Sequence, residues 1–216
     1  MLGPRYWVLG LLFIFIFIFI FIALATIGLL FGSFNPIHTG HLIIAEYFAT
    51  REGCDHVDLV VSPQNPLKKS KDLADEKHRL AMARLSVRGN PLIQVNAIEF
   101  SLPRPSYTYH TLSQLSTQNP EHTYKLIMGS DNFDRFREWK DWQPILEEYR
   151  ILVYRRPGYH GSDFEKHPHV KMFDNVPMIH ISSTYIRASV HKKKSIRYLV
   201  PEVVRKYIEK KKLFIG

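Results

Sequence analysis

The fold class that this sequence predicts is α/β, a doubly wound parallel sheet flanked by helices. Two observations carry the prediction. Short apolar or β-branched runs recur along the 216 residues, each bounded by turn residues, and segments with helical spacing lie between them. The runs are continuous in hydrophobicity rather than alternating, which is the pattern of strands covered on both faces. Strand–helix alternation winds such strands into one parallel sheet. In chain order, strands are predicted at 27–31 (IGLLF), 56–62 (HVDLVVS), 92–98 (LIQVNAI), 124–129 (YKLIMG), 150–156 (RILVYRR) and 178–182 (MIHIS). Helices are predicted at 41–52, 76–87, 106–116 and 131–149. A last helix follows Pro201, a residue suited to a first turn, with Val203, Val204, Tyr207 and Ile208 at helical spacing. The segments 62–76, with two prolines and three lysines, and 156–169, rich in Gly, Pro and His, read as exposed loops.

The length suits one domain with a sizeable core, placed at residues 27–216. Lys and Arg exceed Asp and Glu by nine, which favours anionic partners without choosing among nucleotides, nucleic acid and lipid headgroups. Nine of the cations fall in residues 191–216 against only Glu202 and Glu209, so the rest of the chain is nearly balanced. Cys54 is the only cysteine, which excludes an internal disulfide. Residues 1–26 form an apolar N-terminal extension. No charge occurs from Trp7 to Phe31, and Phe and Ile alternate unbroken from Phe13 to Ile22. Three readings compete: a membrane anchor through residues 7–26 with the basic body in the cytoplasm, a signal peptide, or translated upstream sequence before a true downstream start. The run passes without a linker into the first strand, so a spanning helix here would press the sheet against the bilayer. A Phe-Ile alternation outside a membrane would also be an aggregation hazard. A cytoplasmic location is expected, with the anchor left open.

The chemistry gathers in GSFNPIHTGHL, residues 32–42, which joins the first strand to the first helix. Ligands of such sheets bind beyond the carboxyl ends of the strands, and this segment lies on that edge. A helix starting near Thr39 or Gly40 puts His38 and His41 at its N-terminal turn, where free N–H groups and the positive dipole end attract phosphate. Gly32 leaves the backbone bare, Pro36 stiffens the turn, and Gly40 lets the helix begin close to a ligand. A second such place is ISSTYIR, residues 181–187: Ser182, Ser183 and Thr184 open a helix after the last predicted strand, and Arg187 comes round on the next turn for charge-assisted bonds. The plainer alternatives are ordinary histidines and an N-cap with a solvent-facing arginine.

These two segments resemble the HxGH and ISSTxIR motifs of the nucleotidyltransferase superfamily, and the resemblance runs from about Ile27 to the C-terminus. Within it, SPQNPLKK, PSYTYHTL, MGSDNF and FREWKDWQPIL are similar to nicotinate-nucleotide adenylyltransferases. The resemblance implies a Rossmann-like fold and transfer of the adenylyl group of ATP to nicotinate mononucleotide in NAD biosynthesis. It implies His38, His41 and Arg187 as catalytic groups, and Gly32, Ser33, Phe34, His38, His41, Asp131, Ser182, Ser183 and Arg187 as the ATP site. Thr108, Asp131, Trp139 and Lys140 would meet the mononucleotide, Trp139 stacking on the pyridine ring and Thr108 meeting its carboxylate. Mg²⁺ would arrive with ATP, since no carboxylate cluster marks a protein-held metal. Each assignment has a structural rival: Trp139 or Trp142 covering the core, and Asp131 or Thr108 as helix caps. Phe31 stands where many relatives have glycine, Lys140 leaves the ring contacts open, and Lys68 or Lys69 could reach a phosphate. Rival functions are adenylyl transfer to nicotinamide mononucleotide or phosphopantetheine, and a non-catalytic basic protein binding RNA or membrane. No nucleic-acid partner is expected, since no aromatic-basic RNA motif occurs, and self-association is left open.

Overall fold

A computed structural model describes residues 24–63, 73–159 and 162–215. The apolar extension up to residue 23, with its anchor and signal-peptide readings, and Lys68 and Lys69 lie outside them. Six strands form one all-parallel sheet: β1 (Thr26–Gly32), β2 (His56–Val61), β3 (Ile93–Asn96), β4 (Thr123–Gly129), β5 (Arg150–Tyr154) and β6 (Val170–Phe173). Their order is β3-β2-β1-β4-β5-β6. The helices are α1 (Thr39–Arg51), α2 (Glu76–Ser86), α3 (Thr108–Gln118), α4 (Ser130–Phe133), α5 (Trp142–Glu148), α6 (Ser183–His191) and α7 (Glu202–Lys211).

Both faces of the sheet are covered, which is why the strands read as unbroken apolar runs. On β1, Ile27 and Leu29 face a core shared with Leu112 and Leu115 of α3, Phe133, Phe136, and Ile145 and Leu146 of α5. Leu30 faces the opposite core, built with Ile44 and Phe48 of α1, Met82 and Ala83 of α2, Ile186 of α6, and Val204 and Ile208 of α7. The same alternation holds on β5, with Ile151 and Val153 on one side and Leu152 and Tyr154 on the other. The C-terminal helix docks through Val204 and Ile208, and its Tyr207 hydroxyl meets the His78 ring of α2 at 2.9 Å. Val203, expected on that apolar face, is exposed.

Three expectations need correction. Residues 178–182 are not a strand: the Ile181 N–H turns back to the Ile179 carbonyl at 2.7 Å, Met178 and Ile181 pack on the core, and Ile179 is exposed. The sixth strand is Val170–Phe173, just beyond the segment read as an exposed loop. That segment itself carries a 3₁₀ turn, Asp163–Lys166, whose Phe164 packs against the core. The single helix expected at 131–149 is broken into α4, a 3₁₀ turn (Phe136–Glu138) and α5, with Asp141 left-handed at φ 55°. The break lets Phe133 and Phe136 reach the core at a spacing of three while Trp139 turns towards the strand ends.

Candidate active site

Strand order reverses between β1 and β4, and the crevice outside their carboxyl ends is the place where this architecture takes ligands. Two cavities open there. The larger, about 1270 Å³, is lined by His38, His41, Asp131, Arg156, Ser182 and Arg187 among others. The smaller, about 400 Å³, is lined by Glu99, Ser106, Tyr107, Thr108, Trp139 and Lys140 among others. Gly32, Ser33, Asn132 and Trp139 line both, so the two volumes meet at the end of β1.

The loop after β1 presents the histidine pair. His38 is the N-cap of α1, and its backbone N–H donates to Nδ1 of His41, one turn on, at 3.2 Å. The two rings stack with centroids 3.6 Å apart, and the Phe34 ring abuts His41 edge-on at 5.0 Å. Phe34 has φ 44° and its ring is buried. A side chain at Gly40 would press on the His38 ring, its Cβ 3.1 Å from Nδ1. His38 is itself buried, and its Nδ1 has no hydrogen-bond partner among the described residues. Burial, helped by the Arg156 charge, drops its pKa to about 4, so at neutral pH it is an uncharged imidazole with one ring N–H.

Arg79, unremarked in the sequence, holds this loop from behind. It is fully buried on α2, and its guanidinium donates to four carbonyls: Ser33 at 2.8 Å, Ser62 and Pro63 at 2.6 Å each, and Ala74 at 3.0 Å. The ends of β1 and β2 are thereby tied to one cation. The available signal was its place on an apolar face, three and four residues before Met82 and Ala83.

The start of α6 closes the far side. Ser182 caps it, accepting the Tyr185 N–H at 3.1 Å. Ser183 Oγ donates to the Pro36 carbonyl at 2.9 Å, and Arg187 Nη1 donates to the Asn35 carbonyl at 2.9 Å. Ser183 thus gives its hydroxyl proton to the loop after β1, whereas Ser182 Oγ only accepts and keeps its own O–H to donate. Donors at this edge are the Ser182 hydroxyl, the first-turn N–H groups of α6 that Ser182 does not cap, and the remaining N–H groups of Arg187.

At the end of β4, Asp131 is the second residue of α4 rather than its cap. Its Oδ2 accepts from Arg156 Nη1 at 2.8 Å, while Oδ1 is buried without a partner among the described residues. A Cβ on Gly129 would collide with that Oδ1. Arg156 is a second residue that sequence reasoning missed; its position just past β5, on the carboxyl edge, was the signal. Its backbone N–H donates to Ser130 Oγ at 2.9 Å.

The smaller cavity brings together Thr108, Trp139 and Lys140. Thr108 is the first residue of α3, whose N-cap is Tyr107. Lys140 Nζ sits 4.5 Å from the Tyr107 ring centroid. Trp139 borders both cavities, whereas Trp142 lines neither and packs on Phe164 at 5.1 Å and on Phe136 at 6.3 Å.

Comparison with known proteins identifies the family. Residues 29–189 match the family Cytidylyltransferase-like. A probable nicotinate-nucleotide adenylyltransferase of Cytophaga hutchinsonii is 46% identical over 87% of this chain and 97% of its own length. One from Bacteroides fragilis is 44% identical over 84% of this chain and 90% of its own. Among solved structures, the fold is similar to that of the Plasmodium falciparum nicotinic acid mononucleotide adenylyltransferase complexed with NaAD, with a TM-score of 0.75 and 18% identity over 88% of this chain and 97% of that one. A cleft at the switch point with paired histidines, a helix N-terminus facing them and relatives matched nearly end to end leave one assignment: this chain belongs to the nicotinate-nucleotide adenylyltransferase family of cytidylyltransferase-like proteins.

Proposed function

We propose that the protein transfers the adenylyl group of ATP to nicotinate mononucleotide, forming deamido-NAD and releasing pyrophosphate. The observation that carries this reading is the meeting of two unlike cavities at the end of β1. One is large and ringed by histidine, arginine and helix N-termini, suited to a triphosphate. The other is small, walled by Trp139 and the start of α3, suited to a planar ring with a carboxylate.

The nucleophile is a phosphate oxygen, largely ionised at neutral pH, so the reaction needs no general base. It attacks the α-phosphorus in line with the departing pyrophosphate, and catalysis rests on positioning and charge stabilisation. His41 and Arg187 donate to the phosphoryl oxygens, with His38 contributing a single N–H as a neutral ring. Gly32, Ser33 and the Phe34 backbone let the triphosphate approach closely. Asp131 Oδ1, buried and unpartnered among the described residues, is an acceptor for ribose hydroxyls. Trp139 stacks on the pyridine ring, and the Thr108 turn receives its carboxylate. Among the described residues no cluster of three or more His, Cys, Asp or Glu could hold a metal. Asp131 is paired with Arg156, and Glu76 with Arg104 at 2.7 Å. This donor set suits Mg²⁺ that arrives coordinated by the triphosphate, where it supplies charge neutralisation.

The test is pyrophosphate release from MgATP with nicotinate mononucleotide, nicotinamide mononucleotide and phosphopantetheine in parallel. Turnover with the first alone is expected. Preference for either of the others would move the substrate assignment, and nucleotide-independent, salt-sensitive RNA binding without turnover would overturn the enzyme reading.

A further inference from the structure

The smaller cavity contains a carboxyl group that the reaction above does not use. Glu99 lies on a 3₁₀ turn, Ile98–Phe100, after β3, is only 2% exposed, and lines the cavity wall. Its Oε2 accepts the Ser106 hydroxyl at 2.9 Å and its Oε1 accepts the Thr111 hydroxyl at 2.9 Å. These two hydroxyls straddle the start of α3. Ser106 precedes the N-cap Tyr107, and Thr111 is the fourth residue of the helix, its N–H bonded to the Tyr107 carbonyl at 3.2 Å.

Helix starts are usually closed by a Ser, Thr, Asp or Asn side chain at the N-cap. Tyr107 supplies none. The first-turn N–H groups of Thr108, Tyr109 and His110 have no acceptor inside the helix, and Thr108 borders the cavity. The Thr111 hydroxyl also lies 3.4 Å from the Tyr107 carbonyl, a longer contact than its bond to Glu99; the N-cap side chain leaves the turn's free N–H groups uncapped, and Glu99 grips the turn at both ends from a separate segment. A buried carboxyl beside a site for an anion also carries an electrostatic cost, so its place there calls for a compensating role.

We propose that Glu99 is a positioning residue for the pyridine carboxylate: by tethering Ser106 and Thr111, it holds the first-turn N–H groups of α3 in place at the wall of the smaller cavity. The inference rests on the functional reading above. It names a residue outside the two motifs, and one that touches no substrate atom in the role described.

The test compares wild type, Glu99→Gln and Glu99→Ala. The amide of the Gln variant accepts from one hydroxyl and donates to the other, so it keeps the tether, whereas Ala removes it. Glu99→Ala is expected to raise KM for nicotinate mononucleotide about tenfold, with KM for ATP unchanged and kcat within about threefold, the size expected from losing a charge-assisted contact's alignment. Glu99→Gln is expected to restore KM to within about threefold of wild type, on the same reasoning. Hydrogen exchange of the peptide spanning 106–111 should quicken in Ala and stay at the wild-type rate in Gln. Should Glu99→Ala not fold, Ser106→Ala removes half the tether and carries the same expected KM split. Parallel rises in both KM values, a Gln variant as poor as Ala, or unchanged exchange would each overturn the proposal. Wild-type protein that turns over no nicotinate mononucleotide would sink the functional reading instead, and the exchange comparison would still decide the tether.

Discussion

His38 shows how a single side chain takes its chemistry from its burial. Unfolded, it binds a proton near its ordinary pKa of 6.5; folded, it stays neutral down to about pH 4. Between those values the unfolded chain holds more protons, so stability is full above about pH 6.5 and falls as the pH drops towards 4. The loss is at most about 3 kcal/mol. Urea midpoints measured from pH 7.5 to 4 should fall more steeply for wild type than for His38→Gln; identical slopes would mean that His38 is not desolvated. His41 contributes differently, since its ring both backs the start of α1 and lines the larger cavity, where the proposed reaction has it donate to phosphate. His41→Ala should cost about 1 kcal/mol as a lost cap, a few degrees in Tm, but about 100-fold in kcat. A loss of fold comparable to the loss of rate would reassign His41 to structure. At this scale the histidine pair was legible because spacing alone puts both rings on one helical turn. Glu99 was not, because nothing in AIEF reveals which hydroxyls a distant segment will bring to it.

The elements were legible where periodicity was strong and long. Helices α1, α2 and α3 start and stop within two residues of expectation, and five strands lie where apolar runs put them. The misses have one cause: tertiary contacts decided segments whose local signal was short or mixed. VKMF has four residues and a lysine in the middle, so its pairing with β5 outweighs a weak strand pattern. MIHIS has a strand-like composition, but its segment makes a tight turn that delivers Ser182 and Ser183 to the loop after β1. Helix α2 carries the prediction that belongs to this scale. Arg79 gathers four carbonyls, with no carboxylate bonded to it among the described residues. Arg79→Met keeps much of the apolar stem yet leaves those acceptors without donors, at a cost of about 1–3 kcal/mol for each one that water cannot reach. A Tm lowered by about 10 °C or more is expected, measured by calorimetry. Arg79→Lys should recover only part of it, because an ammonium cannot span four acceptors in a plane. A Lys variant as stable as wild type would show that the charge matters and the fork does not.

For the whole molecule, the charge imbalance in the sequence pointed away from the site. The basic segment 191–216 lies outside both cavities, whose lining residues all fall between Leu30 and Arg187. The local positive character comes instead from Arg156, Arg187 and helix N-termini that the sheet topology brings to one edge. The same placement decides what the apolar N-terminal run contributes. The entry to β1 is fixed by the last two residues of the apolar extension, 25 and 26, and their partners: Thr26 N–H donates to the Asp55 carboxylate at 2.7 Å, the Ala25 carbonyl accepts from Thr123 N–H at 2.8 Å, and the Thr26 carbonyl accepts from Asp55 N–H at 2.8 Å. The central strand therefore has its anchors in β2 and β4, and the catalytic edge lies at its other end, about 20 Å away for seven residues at strand rise. A variant beginning at Leu24 should keep kcat and both KM values within about twofold, because it retains every contact that fixes the entry to β1, at the end of the strand away from the cleft. Steady-state turnover of the two forms, with a melting curve for each, makes the comparison. A shortened protein that melts normally but turns over slowly would mean that residues 1–23 reach the cleft. One that melts early would mean instead that they brace the sheet, and fractionation of the full chain with membranes would then separate bracing within the domain from support by a bilayer.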